Sequence, residues 1–163
     1  MAVFLSTYVN RIDRKGRVSV PAPFRQVLAE QSATGIANGL VVFRSVTVPA
    51  LEACSAKHME DLAADLELMD LSDEEREHLE LTIFSASVHL PIDSEGRLIL
   101  PDDLRQFAGI CEQVAFVGKS KTFQIWEPDA FNARMAEARE KSRVHGVSLS
   151  SISAAARRRA TGT

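Results

Sequence analysis

Four cations crowd one short stretch of the chain: Arg11, Arg14, Lys15 and Arg17 lie within seven residues, and Asp13 and Gly16 stand among them. A guanidinium offers a planar fork of donors that grips phosphate, or the O6 and N7 atoms of guanine, while an ammonium serves phosphate as a point charge. Such a cluster suits a polyanion. The same residues also permit a plainer reading, in which Asp13 and Arg17 pair across a turn and hold it. Other chemistry is poorly served. His58, His78, His89 and His145 are scattered and show no metal-ligand spacing. Glu74-Glu75-Arg76-Glu77-His78 reads as an exposed helical face, and no glycine-rich phosphate loop occurs. The expectation is a binding protein without metal or cofactor, and not an enzyme.

The cluster belongs to a repeat. Ile12-Asp13-Arg14-Lys15-Gly16-Arg17-Val18-Ser19-Val20-Pro21 returns 80 positions later as Ile92-Asp93-Ser94-Glu95-Gly96-Arg97-Leu98-Ile99-Leu100-Pro101, and Arg25-Gln26 returns as Arg105-Gln106. Ile, Asp, Gly, Arg, Pro, Arg and Gln recur in register, which chance explains poorly. Asp13 and Asp93 can fold their carboxylates onto the following backbone, and Gly16 and Gly96 can take the positive φ of a tight turn. In the second copy Ser94 and Glu95 replace Arg14 and Lys15, so the turn-holding reading of Asp93, Gly96 and Arg97 leads there. In the first copy the polyanion reading leads, with Arg17 as a base or phosphate contact and Arg14 and Lys15 as phosphate anchors.

The elements that must carry these turns follow from local pattern. Strands are expected at 7–12 and 87–92, and again at 17–20 and 97–100, where Pro21 and Pro101 end them. Short helices follow, presenting Phe24, Val27 and Leu28 in one copy and Leu104, Phe107 and Ala108 in the other; Pro23 suits a first turn, Asp102 a cap, and Gly109 a stop. Apolar strands return at 40–43 and 46–48, and at 114–117 and 122–126. Pro49 and Pro128 then close each pair, so that the first hairpin is the abbreviated one. Two strand-turn-strand-helix-strand-strand units imply an α+β fold, a pseudo-symmetric small β-barrel with appended helices. The divisions are 1–50 and 85–130 for the modules, 51–84 for an acidic helical connector, 131–143 for a C-terminal helix and 144–163 for a flexible tail.

The doubled Asp-x-x-Gly-Arg turn with its following proline, together with Ile125-Trp126-Glu127-Pro128, is similar to the MraZ family of bacterial transcription regulators, built from two SpoVT-AbrB-type modules. The similarity runs from Phe4 to about Arg139. It implies a ring-shaped homo-oligomer that binds double-stranded DNA at direct repeats, in the promoter of the division and cell-wall gene cluster. It also implies a cytoplasmic, nucleoid-associated protein. An antitoxin-like or adaptor protein, capturing a basic partner through its acidic helices, is the alternative.

Averaged composition opposes DNA until it is divided. The 163 residues carry 19 Lys and Arg against 22 Asp and Glu, a net charge of −3. Residues 1–30 stand at +3, residues 50–80 at −9 and residues 132–163 at +5. The acidity sits between the repeats, and the first turn is basic. Cys54 and Cys111, far apart, are expected as ordinary buried thiols, with neither a disulfide framework nor a zinc knuckle. The N-terminus lacks the pattern of a signal peptide, and no apolar run is long enough to cross a membrane.

Overall fold

The structure, a computed structural model, describes residues 3–146 and 148–162. It forms two compact units, Met1–Pro128 and Asp129–Thr163. The first contains β1 (Thr7–Arg11), β2 (Arg17–Ser19), α1 (Ala22–Glu30), β3 (Gly39–Arg44), β4 (Leu51–Cys54), α2 (Ala56–Leu68) and α3 (Asp73–Leu79). A π-helical segment (Glu80–Ser85) leads into β5 (Val88–Pro91), β6 (Arg97–Ile99), α4 (Asp102–Ala108), β7 (Gln113–Lys119) and β8 (Thr122–Trp126). Helices α5 (Pro128–His145) and α6 (Leu149–Ala160) follow.

Mixed α+β architecture is as expected, but the strands pair across the repeat. A six-stranded antiparallel sheet runs β1-β7-β8-β4-β3-β5, and β2 pairs with β6 in a separate ribbon. Thus β1 of the first copy adds to β7 of the second, with Tyr8 opposite Phe116. In return β5 adds to β3, with Val88 opposite Val42. The pseudo-twofold passes through the pair of Glu52 and Gln124, where β4 meets β8. There Gln124 Nε2 donates to Glu52 Oε1 at 2.8 Å, and Trp126 Nε1 donates to Gln124 Oε1 at 2.8 Å. No pairing closes this sheet into a barrel among the described residues: β1 and β5 are its two edges.

The strand expected at Val46–Val48 is a turn, and β4 stands at Leu51–Cys54. The Ser45 hydroxyl accepts from the backbone N–H groups of Thr47 and Val48, which folds this β-branched run into a side-chain-capped turn. Residues 45–50 therefore connect β3 to β4, whereas residues 120–121 suffice between β7 and β8. The first hairpin is the longer one.

The core is shared between the copies. Val18, Val20, Leu98 and Leu100 are buried beneath the ribbon with Phe24 of α1 and Leu104 of α4. Phe24 meets Phe4 edge-on at 5.2 Å and Phe123 at 4.9 Å, and all three rings are wholly buried. Rings of this size contribute about 2–3 kcal/mol each by burial. Phe107 is exposed rather than buried, and the Arg44 guanidinium stands over its ring at 5.5 Å. Asp102 is not the cap of α4: Pro101 holds that position without a side-chain bond, and Asp102 pairs with Arg105 inside the first turn. Gly109 does end that helix, at φ +66°.

Between the copies, Ser72 and Glu75 form a reciprocal capping box that starts α3. The Arg76 guanidinium binds the carbonyls of Leu66 and Met69 at 2.7 and 3.0 Å, tying α3 to the end of α2. In the second unit, the segment expected as a flexible tail contains α6, whose Ser148 hydroxyl caps Ser151 N–H. Consecutive alanines favour this helix, and Arg157, Arg158 and Arg159 complement the negative end of its dipole. Positions 147 and 163 of that segment lie outside the described residues. No described helix is long and apolar enough to cross a membrane.

Candidate nucleic-acid interface

Each turn is built by one aspartate. Asp13 Oδ1 accepts the backbone N–H groups of Lys15 and Arg17, both at 2.9 Å, and its Oδ2 accepts Arg17 Nε at 2.7 Å. Asp93 repeats this with Glu95 and Arg97 N–H at 2.9 Å and Arg97 Nε at 3.3 Å. The Arg17 N–H, then the Arg17 guanidinium, hold the Asp13 carboxyl below its ordinary pKa; for Asp93 the Arg97 N–H leads. These bonds favour the ionised carboxylates. Gly16 and Gly96 take φ +84° and +81°, as the turns require.

The turns also lock to the opposite copy. Leu100 N–H donates to Gly16 O at 2.8 Å, and Val20 N–H donates to Gly96 O at 2.9 Å. What looks like a hairpin in sequence is therefore an exchanged one. Ile12 and Val18 form a single bridge across the first turn, while β2 gives its ladder to β6, with Arg17 opposite Ile99 and Ser19 opposite Arg97. A side chain added to Gly16 would meet Leu100 O at 2.7 Å; one added to Gly96 would meet the guanidinium of Arg25, whose Nε donates to Val20 O. Arg25 thus bridges the two copies inside the chain.

Alternation settles the faces. Val18 and Leu98 are buried, so Arg17, Ser19, Arg97 and Ile99 form the outer face of the ribbon. Arg17 and Arg97 are diagonal neighbours there, one from each copy. Asn10 Nδ2 donates to Ser19 O at 2.7 Å, and Arg11, Arg17, Ser19 and Arg97 line a hollow of about 430 Å³ that Asp13 and Glu112 also border. Arg14 and Lys15 are exposed and form no ion pair with the described residues. Arg17 holds Asp13 through Nε alone, leaving its terminal nitrogens unengaged among the described residues. Arg97 is held twice, by Asp93 and by Glu95 at 3.0 Å.

The sequence reading puts Arg14, Lys15 and Arg17 at one tip with Arg11 on the incoming strand; in the structure Arg17 stands at the first-turn end of the ribbon, and Arg11 lines the hollow with Ser19 and Arg97. It treated Arg97 only as a turn residue and passed over Asn10, Ser19 and Ile99. Period-two alternation about Val18 and Leu98 was the available signal for Ser19 and Ile99. Of the two thiols, Cys54 is buried and its pKa pushed up to about 12 by burial and the nearby Glu52 charge, while Cys111 is exposed, contrary to expectation.

A family model described as "MraZ protein, putative antitoxin-like" matches residues 83–148. The protein named transcriptional regulator MraZ from Rickettsia canadensis is 46% identical over 131 residues, covering 80% of this chain and 85% of the relative. Its namesake from Rickettsia akari is 43% identical over 140 residues, covering 86% and 91%. That from Rickettsia bellii is 44% identical over 141 residues with the same coverage. Similarity of this extent, over four fifths or more of the chain, shows that the chain belongs to the MraZ family.

Proposed function

We propose that the protein is a DNA-binding transcription regulator that sets the outer face of the β2–β6 ribbon into the major groove. The observation that carries this reading is the exchange pairing, which gives one exposed face two arginines and flanks it with Arg14 and Lys15, both exposed and without an ion pair among the described residues. A two-stranded ribbon has the width of the groove. Asp13 fixes the Arg17 stem, so the terminal nitrogens reach a guanine edge or a phosphate at reduced entropic cost. Arg14, Lys15 and Arg11 serve the phosphates on either side. The names of the relatives agree with regulation of transcription.

One such face is small, so useful affinity requires several subunits on successive sites. A ring-shaped homo-oligomer on tandem repeats, in the promoter of the division and cell-wall gene cluster, meets that need and is what the family resemblance implies. On this reading the protein works at the nucleoid in the cytoplasm. The test is binding to a duplex of tandem promoter repeats. Arg17→Ala, checked for unchanged assembly by light scattering, is expected to lose most of the affinity; undiminished binding refutes the ribbon assignment.

A second reading is favoured by the antitoxin-like description of the family and by the −9 charge of residues 50–80. It makes α2 and α3 a surface for a basic protein partner. A stoichiometric partner released by salt, with no promoter binding, decides for it.

A further inference from the structure

The two turns share a backbone and differ in charge. Three cations and one carboxylate leave residues 13–17 at +2, whereas two carboxylates and Arg97 leave residues 93–97 at −1. Because Arg17 faces Ile99 and Arg97 faces Ser19, the turns stand at opposite ends of the ribbon. Three residues of strand separate them, about 10 Å. That is roughly the Debye length in physiological salt, so a helix of phosphates feels both ends distinctly. The arginines differ too. Glu95 takes Arg97 Nη2 at 3.0 Å while Asp93 takes its Nε, whereas among the described residues Arg17 pairs with Asp13 alone.

We infer that Glu95 determines the polarity of DNA binding: it clamps Arg97 and repels phosphate, so that a ribbon with two-fold symmetry of backbone seats on the groove in one direction only. The inference rests on the DNA-binding reading. Two equivalent basic ends would let the ribbon seat either way round and would match a palindromic site, as two-fold binders do. One basic and one acidic end makes each site asymmetric, and successive subunits then require sites in the same orientation. Glu95 is thus a specificity-determining residue, and Ser94 contributes by its lack of charge.

Two variants separate the effects. Glu95→Gln removes the clamp and the repulsion at nearly constant shape, and Ser94→Arg/Glu95→Lys rebuilds the chemistry of the first turn. Both leave Asp93 and Gly96, which hold the backbone, in place. The probes are a duplex from upstream of the chain's own coding sequence and an unrelated duplex of equal length. Glu95→Gln is expected to bind the promoter duplex about three- to fivefold more tightly. The double variant is expected to bind both duplexes more tightly, to prefer the promoter less, and to steepen the salt dependence by about 1–2 in log-log slope.

Polarity is read directly from an iron chelate on the exposed Cys111, which lies at the first-turn end because the adjoining Glu112 carbonyl accepts Ile12 N–H. The parent is expected to cut DNA on one side of each site, and the double variant on both. Two-sided cutting by the parent overturns the inference. So does parent-like binding by both variants, and if Arg17→Ala still loses affinity the DNA-binding reading survives. Absence of any promoter binding by the parent overturns both.

Discussion

Replacing each turn glycine by alanine separates two costs that sequence alone cannot distinguish. Gly16, Gly96 and Gly109 all hold positive φ, so each replacement incurs the left-handed strain of a Cβ, about 1–2 kcal/mol. At Gly109 nothing lies within 4 Å of the added carbon, and that strain is the whole effect. At Gly96 the carbon would fall 2.7 Å from the Arg25 guanidinium, the far end of a flexible side chain. Arg25 can swing away and forfeit its bond to Val20 O, which brings the total to about 2 kcal/mol. At Gly16 the carbon would fall 2.7 Å from Leu100 O, a backbone atom. That strand cannot retreat without stretching the Leu100 N–H to Gly16 O bond and the β2–β6 ladder, so the total rises to about 3–4 kcal/mol. Urea denaturation followed by the fluorescence of Trp126, the single tryptophan, measures all three. Thermal melting should show Gly16→Ala lowered by roughly 6–16 °C, at about 2–4 °C per kcal/mol for a chain of this size. A Gly16→Ala loss no larger than that of Gly109→Ala refutes the inter-copy lock.

Other outcomes follow from the same contacts. The depressed pKa of Asp13 makes its contribution complete above the unfolded carboxylate's ordinary 3.8 and lost as pH falls through the lower folded value. Urea midpoints of Asp13→Asn should therefore fall below the parent at neutral pH and converge with it in strong acid. Arg14→Ala/Lys15→Ala should flatten the log-log salt dependence of promoter binding by about 1.8, as expected for two phosphate contacts, with both residues measured in one titration series. Phe24→Ala, which empties a site shared by both copies, should cost about 3–5 kcal/mol in the same urea assay. Ser72→Ala removes half of a capping box and should cost about 1 kcal/mol, visible as faster amide exchange confined to α3.

The turns were legible because their chemistry is local: an aspartate two and four residues before the amides it caps, and a glycine at positive φ, are visible in a window of five. The internal repeat made the pattern certain by doubling it. Strand partners were not legible. Thr7–Arg11 and Arg17–Ser19 flank one turn and read as a hairpin, yet their partners lie more than 70 residues away, and only the shared core decides that. Strand β4 was misplaced for a different reason. Val46-Thr47-Val48 has better strand composition than Leu51-Glu52-Ala53-Cys54, but one buried hydroxyl at Ser45 captures its amides. The face of the candidate site inherited the first gap: half of it comes from the second copy, and Arg97 joins Arg17 only once β6 is known to be its neighbour.

That exchange also explains how the two turns could diverge in charge without divergence in shape. Each backbone is held by its own aspartate, by its own glycine and by one amide from the opposite copy, none of which involves the side chain of the second or third residue of the turn. Arg14 and Lys15, or Ser94 and Glu95, therefore project from a frame whose hydrogen bonds do not depend on them. The frame itself is indivisible. Without the second copy, β1 would lack β7, β2 would lack β6, and Phe24 would lose Phe123. Fusion of both copies in one chain keeps the two turns in a fixed pairing, one basic and one acidic. A dimer of identical modules, with two like turns, could not offer that asymmetric face to DNA.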